Sequence, residues 1–197
     1  MLNEEKGDDV MSIYYAIEFD EQTKKKLSLK QLEVKQGSTQ GDFVQPETFH
    51  ITVLFCAGGN SGYSREEYIN ALDEFSKRYN PKPFNVRLQN FGKFQNDGEG
   101  AVVWVGVRDS LPLYEIQKNL KETLHSMNVK VEKTQFSGYT PHITMGYDVV
   151  LSETFTELFE DEEPITIKSI CLWDGFKSRN QDKEAHVYNK IHEVFFE

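Results

Sequence analysis

Cysteine is nearly absent: Cys56 and Cys171 are the only two in 197 residues. Each stands alone inside an apolar run. That argues against a disulfide framework or a cysteine-rich metal centre, and two buried free thiols are expected. Basic residues are also in short supply, 22 Lys and Arg against 32 Asp and Glu, for a net charge of −10. This balance argues against broad nonspecific binding to long nucleic acid, which needs a cationic surface. It leaves room for a small nucleotide or an RNA end in a local pocket. The sequence has no basic-then-apolar leader and no apolar run long enough to cross a bilayer. A Gly-rich phosphate loop, a dinucleotide fingerprint and a nucleophile elbow are all missing, and Gly58-Gly59 reads as a turn. No close-set group of His, Cys and carboxylates suggests a metal. These absences point to a cytoplasmic protein with no metal, no cofactor and no membrane contact.

What is present is a globular composition, with 38% hydrophobic and 13% aromatic residues. The length suits one domain or two small, intimately packed lobes. Residues 1–11 read as a flexible extension and 12–197 as the folded unit. Strands are expected at Ser12–Phe19, Phe49–Cys56, Phe84–Phe91, Ala101–Val107, Pro141–Tyr147, Ile165–Trp173 and Val187–Phe196, with a short one at Val129–Glu132. Helices are expected from an Asp20 cap to about Val34, from Ser64 to Asn80 with Glu67 completing a capping box, and over Leu111–Asn128. A helical turn is expected over Phe155–Phe159, and Gly37–Gly41 reads as a loop. Helices interleave early and strands dominate late, which is an α+β pattern with helices on the outer faces of antiparallel or mixed sheets.

Of the five histidines, two open the same tripeptide: His50-Ile51-Thr52 and His142-Ile143-Thr144. Both copies lie in strand-like runs, FHITVLF and PHITMGY. On a strand, residues i and i+2 share a face, so His50 points with Thr52 and His142 with Thr144. Two such strands would line one groove with two imidazoles and two hydroxyls. That set suits phosphodiester chemistry. One neutral imidazole accepts a proton from water or a sugar hydroxyl, and the other, protonated, gives one to the departing oxygen. The hydroxyls donate to the non-bridging phosphate oxygens. His125, His186 and His192 read as surface residues.

The sequence resembles the 2H phosphoesterase superfamily, in its LigT-like branch of RNA 2',3'-cyclic phosphodiesterases, also called 2'-5' RNA ligases. SIYYAIEFDEQTKKKL is similar to that branch's opening strand and helix, FVQPETFHITVLF to its first motif and YTPHITMGY to its second. FNVRLQNFGKF with AVVWVGV resembles the strand pair between the motifs, and LYEIQKNLKETL the helix after it. The resemblance covers roughly Ser12–Phe196. It implies two similar lobes of antiparallel sheet with outer helices around a central groove. It also implies hydrolysis of a 2',3'-cyclic phosphate, usually to a 2'-phosphate, at an RNA or nucleotide terminus. His50 and His142 would be the acid/base pair and Thr52 and Thr144 the phosphate holders, in a monomer. The branch often carries an arginine shortly after the second motif, and here Tyr147 and Asp148 occupy that stretch. Lys93, Arg179 and Lys177 are candidate replacements for the missing charge, and Tyr147 and Tyr14 are further candidates to meet substrate. Some phage members of the superfamily degrade cyclic oligonucleotide immune signals. The tyrosines Tyr139 and Tyr147, which could stack on bases, keep that substrate open as an alternative. A non-catalytic module that binds a nucleotide or RNA end is the alternative of another class.

Overall fold

The structure, a computed structural model, describes residues 11–58, 64–96, 98–132, 138–180 and 183–197. Of Met11, Gly58 and residues 176–180 and 183–187 it describes the backbone. The expected extension lies, through residue 10, outside the described residues.

The elements in chain order are β1 (Met11–Glu18), α1 (Glu21–Gln36), β2 (Ser38–Phe43), a 3-10 turn (Pro46–Thr48), β3 (His50–Gly58), α2 (Arg65–Tyr79), β4 (Phe84–Gln95), β5 (Ala101–Arg108), α3 (Leu111–Ser126), β6 (His142–Leu151), β7 (Ile165–Ile167), β8 (Ser169–Asn180) and β9 (Lys183–Phe195). They build two antiparallel sheets. The first runs β3-β1-β8-β9 and the second β2-β6-β5-β4-β7. This is the expected α+β architecture.

Alternation along each strand explains why some of them read as apolar throughout. In β1, Ile13, Tyr15 and Ile17 face the main core under the helices, while Tyr14 and Ala16 face the other way. That second face gathers Tyr14, Ala16, Cys171 and Trp173 into a smaller cluster, against which Phe55 and Tyr188 pack. In the second sheet, Val103, Val105, Ile143 and Met145 enter the main core. Trp104, Gly106, His142 and Thr144, register partners on β5 and β6, lie on the opposite face. Cys56 and Cys171 are both free and buried.

The helices are exchanged between the sheets. α1 follows β1 of the first sheet but packs on β2 and β6 of the second. α3 follows β5 of the second sheet but packs on β3 and α2 of the first. One continuous core cluster results, drawing residues from both sheets and all three helices. Two glutamines repeat this exchange in hydrogen bonds. Gln31 of α1, 2% exposed, donates from Nε2 to Val44 O at 2.7 Å and to Met145 O at 2.8 Å. Gln117 of α3 donates from Nε2 to Val53 O at 3.1 Å. Val53 and Met145 are the residues that follow Thr52 and Thr144.

Several elements differ from expectation, each for a physical reason. Ile165–Trp173 alternates without a break, yet it divides at Lys168: β7 pairs with β4 in the second sheet and β8 with β1 in the first. Alternation carries no mark of a change of sheet. Gly37–Gly41 is not a loop, because residues from Ser38 onward add an edge strand to β6. Val129–Glu132 is not a strand. It is tied down singly, by Glu132 N to Cys56 O at 2.8 Å and by Tyr68 Oη to Lys130 O at 2.9 Å. Phe155–Phe159 is extended rather than helical, with its carbonyls taking Phe91 N at 2.7 Å and Asn90 N at 3.0 Å. Ser64 caps α2 without a side-chain hydrogen bond, so the capping box is not formed. Asp20 does cap α1, accepting from Thr23 N at 2.8 Å.

Replacing Gln31 by Leu keeps the side-chain volume and removes the side-chain donor to Val44 O, while Met145 O keeps only its bond from Val44 N at 3.1 Å. Leaving such groups unsatisfied costs about 1–3 kcal/mol. Urea denaturation of Gln31→Leu should give a lower midpoint at an unchanged slope. A midpoint equal to that of the parent would show that the clamp contributes nothing.

Candidate active site

The two His-Ile-Thr triplets begin β3 and β6, the two strands that approach each other where the sheets meet. His50 Nδ1 lies 2.7 Å from Thr48 O, and His142 Nδ1 lies 2.6 Å from Thr140 O. A carbonyl oxygen only accepts, so in each ring Nδ1 carries the hydrogen and Nε2 is left as the basic nitrogen. His50 Nε2 takes a hydrogen bond from Thr52 Oγ1 at 3.1 Å. The repeat is therefore longer than a tripeptide. It reads Thr-x-His-Ile-Thr in both copies, TFHIT and TPHIT, and the leading threonine supplies the carbonyl that sets the tautomer.

Both imidazoles are half-buried. Burial holds His50 below the ordinary histidine range against the opposing effect of the Thr48 carbonyl, and the nearby His142 lowers it further. His142 is likewise lowered, by burial first, with the Thr140 carbonyl opposing. The electrostatic coupling places the two rings in one site.

Aromatic rings support each imidazole. Tyr14 stacks on His50 with centroids 5.3 Å apart and planes at 28°. Tyr188 lies 6.3 Å from His50 and meets Tyr14 edge-on at 6.5 Å. His142 sits 5.1 Å from Phe94, edge to face, and 5.8 Å from Trp104. The Trp104 ring covers Gly92, where an added Cβ would come within 2.1 Å of it, so a glycine is required there.

Tyr147 reaches this face through a bulge. Unbroken alternation from Thr144 would turn Tyr147 toward the core. However, the register slips twice, between Trp104↔Thr144 and Val103↔Gly146 and again between Val103↔Gly146 and Ala101↔Val149, and each slip inserts one extra residue in β6. Asp148 takes a left-handed φ of 49°, and Gly100 lies so close that its Cβ would stand 2.7 Å from the Asp148 backbone. Tyr147 is thus 37% exposed, with its hydroxyl close to Thr144.

The remaining sequence candidates separate. Lys93 does not join the imidazoles: it lies one residue from Phe94, on the opposite face of β4, and pairs with Glu157 at 3.2 Å. Arg179 and Lys177 fall in β8, but their side chains lie outside the described residues. Tyr139 packs against that core and meets Tyr114 edge-on at 5.2 Å. His192 is held by Asp73 at 2.8 Å, His125 is exposed on α3, and the side chain of His186 is outside the described residues. Among the described residues no three metal-ligating side chains cluster, and no helix is long and apolar enough to cross a membrane. Sequence reasoning missed Phe94, Trp104 and Tyr188. Trp104 had a usable signal, since in AVVWVGV it alternates with Val103 and Val105 and so opposes the core face.

Comparison with known proteins shows the family. Residues 26–175 match the model of the 2'-5' RNA ligase superfamily. A protein of Archaeoglobus fulgidus named RNA 2',3'-cyclic phosphodiesterase is 28% identical over 138 residues, covering 69% of this chain and 72% of its own. One of the same name from Thermotoga maritima is 25% identical over 193 residues, covering 95% of this chain and 96% of its own. In fold, the chain superposes on apo Escherichia coli LigT with a TM-score of 0.69 at 17% identity, covering 96% of this chain and 98% of that one. A Thermus thermophilus protein superposes with a TM-score of 0.72 at 18% identity, covering 94% and 97%. The chain belongs to the 2'-5' RNA ligase superfamily, as a LigT-like 2H phosphoesterase and hence an enzyme of cyclic phosphodiester chemistry.

Proposed function

We propose that the enzyme hydrolyses the 2',3'-cyclic phosphate at an RNA or nucleotide terminus, with His50 and His142 as its acid/base pair and no metal or cofactor in the reaction. The observation that carries this reading is the duplicated tautomer lock: two imidazoles, each with Nδ1 tied to the carbonyl two residues back and each leaving Nε2 as its basic nitrogen, with the Thr52 hydroxyl on that nitrogen in the first copy. The names of the Archaeoglobus fulgidus and Thermotoga maritima relatives support the substrate.

In this scheme one neutral imidazole takes a proton from water as the water oxygen attacks phosphorus. The P–O3' bond breaks, and the other ring, entering as imidazolium, gives its Nε2 proton to the departing 3'-oxygen. The product is a 2'-phosphate with a free 3'-hydroxyl. The two rings have then exchanged protonation states, and solvent restores them. Thr52 and Thr144 donate to the non-bridging oxygens as negative charge gathers there. Either histidine can take either role, according to the direction of the reaction.

A second reading, cleavage of a cyclic oligonucleotide, draws on the rings that flank both imidazoles. Tyr188 on one side and Phe94 and Trp104 on the other are half-buried and offer ring faces to two bases.

Turnover of a nucleoside 2',3'-cyclic phosphate should proceed in EDTA, and His50→Ala and His142→Ala should each lower it by about three orders of magnitude or more. Full activity in either variant would end the acid/base assignment. Inactive wild type would move the search to 2'-5'-linked and cyclic oligonucleotides, and tight binding of all of these without turnover would identify a binding module.

The pH profile has a definite sign. Both imidazoles are lowered from about 6.5 in the free enzyme. The productive form carries one proton between them, so kcat/KM should trace a bell whose maximum lies below pH 6.5. A bound anion favours the imidazolium, so the acidic and basic limbs of kcat should both move to higher pH. A maximum of kcat/KM well above neutrality would contradict the desolvated site. Stability follows the same groups. Folding lowers both values, so the folded state binds fewer protons between the folded pKa values and 6.5, and stability falls as pH drops through that window.

A further inference from the structure

Two tyrosines bring their hydroxyls to the site. The Tyr14 side chain is 5% exposed and lies flat on His50, yet its Oη has no hydrogen-bond partner. A buried phenol ordinarily finds one, because leaving it unpaired costs stability. A phenylalanine would fill the same space and stack on the same imidazole. Tyr147 is turned onto the site by the first of two register slips in β6, and the second, just after it, is held by the left-handed backbone at Asp148, the close approach of Gly100, and a hydrogen bond from Asn96 Nδ2 to Asp148 Oδ1 at 2.9 Å. Bulges beside active sites re-aim side chains in this way. The Tyr147 hydroxyl then meets Thr144, a residue of the second triplet. The two phenols lie near each other, since Tyr147 acts electrically on Tyr14, and Tyr188 closes the group from the β9 side.

We propose that Tyr14 and Tyr147 are a pair of uncharged hydroxyl donors that hold the substrate's phosphate between the two imidazoles, Tyr14 from beneath His50 and Tyr147 from beside Thr144. This rests on the reading that the site handles a phosphodiester. A phosphate oxygen placed beside them accepts from the Thr144 and Tyr147 hydroxyls together, and Tyr14 Oη gains its missing acceptor. Both phenols stay protonated throughout the working range: burial raises Tyr14 and Tyr147 above the ordinary tyrosine value, and burial with Tyr147 and Asp42 pushes Tyr188 up to about 12. They therefore act as donors and never as competing anions. The carboxylate of Asp42, near Tyr147 and Tyr188, makes a neutral donor the more useful, since a charge-based clamp would be partly cancelled there.

The test compares wild type with Tyr14→Phe, Tyr147→Phe and the double variant by three readouts: binding of inorganic phosphate by calorimetry, kcat/KM on a nucleoside 2',3'-cyclic phosphate, and the thermal unfolding midpoint. Losing one hydrogen bond to a charged group should weaken phosphate binding and lower kcat/KM by roughly tenfold to a hundredfold in each single variant. Tyr14→Phe should at the same time leave the midpoint unchanged or raise it, because it removes an unsatisfied buried group. A merely structural hydroxyl predicts the opposite, a lower midpoint, and that result overturns the proposal. So does phosphate binding within twofold of wild type in both single variants, or no measurable phosphate binding by wild type. If wild type binds phosphate tyrosine-dependently but does not turn over the cyclic phosphate, the proposed reaction fails and the donor pair stands. If both Phe variants turn it over at the wild-type rate, the reaction stands and the donor pair fails.

Discussion

The site depends on one hydrogen bond, made twice: imidazole Nδ1–H to the carbonyl of the residue two positions earlier, at 2.7 Å for His50 and 2.6 Å for His142. An imidazole can carry its proton on either nitrogen, and only one tautomer leaves Nε2 basic. The carbonyl decides between them and also fixes the rotation of the ring. It does so from two residues ahead of each strand. Much of the surrounding architecture serves to hold those short segments still. Gln31 fixes the carbonyls of Val44 and Met145, Gln117 fixes that of Val53, and the stacked rings of Tyr14 and Trp104 limit where the imidazoles can tilt.

The exchange of helices gives that support its rigidity. Because α1 leaves the first sheet to cover the second, and α3 does the reverse, neither sheet has a core of its own. A movement that opened the groove would have to pull helices off sheets across a continuous apolar cluster. Separating the two triplets is therefore coupled to the cost of exposing core surface, about 25 cal/mol per Å².

The parts that were legible in the sequence are those governed by local rules. Alternation showed that His50 shares a face with Thr52 and His142 with Thr144, and apolar runs located β1, β3 and β5 to within a residue or two. Amphipathic spacing gave α3, and Asp20 gave the start of α1. The parts that were not legible depend on partners distant in the chain. The break at Lys168 is invisible because both halves alternate, and only the pairing of β7 with β4 and of β8 with β1 separates them. Tyr147 was flagged as a residue but could not be placed, since a bulge is a mismatch between two strands and not a property of one. Lys93 looked like a free cation until the fold set it on the far side of β4 with Glu157. Tyr188 carried no signal at all: it reaches His50 because β9 folds back along β8.

The chain has two tryptophans, and the fold puts one beside each half of the site: Trp104 5.8 Å from His142, and Trp173 in the cluster with Tyr14, which stacks on His50. Neither indole Nε1 is hydrogen-bonded. Indole emission responds to the polarity and charge around the ring, and an imidazolium at that distance acts on its π-system directly. The protein thus carries its own optical readout. Protonation of His142 should register in Trp104, and events on the Tyr14 side in Trp173. Removing either indole leaves the other to report on its own half of the groove without an added label.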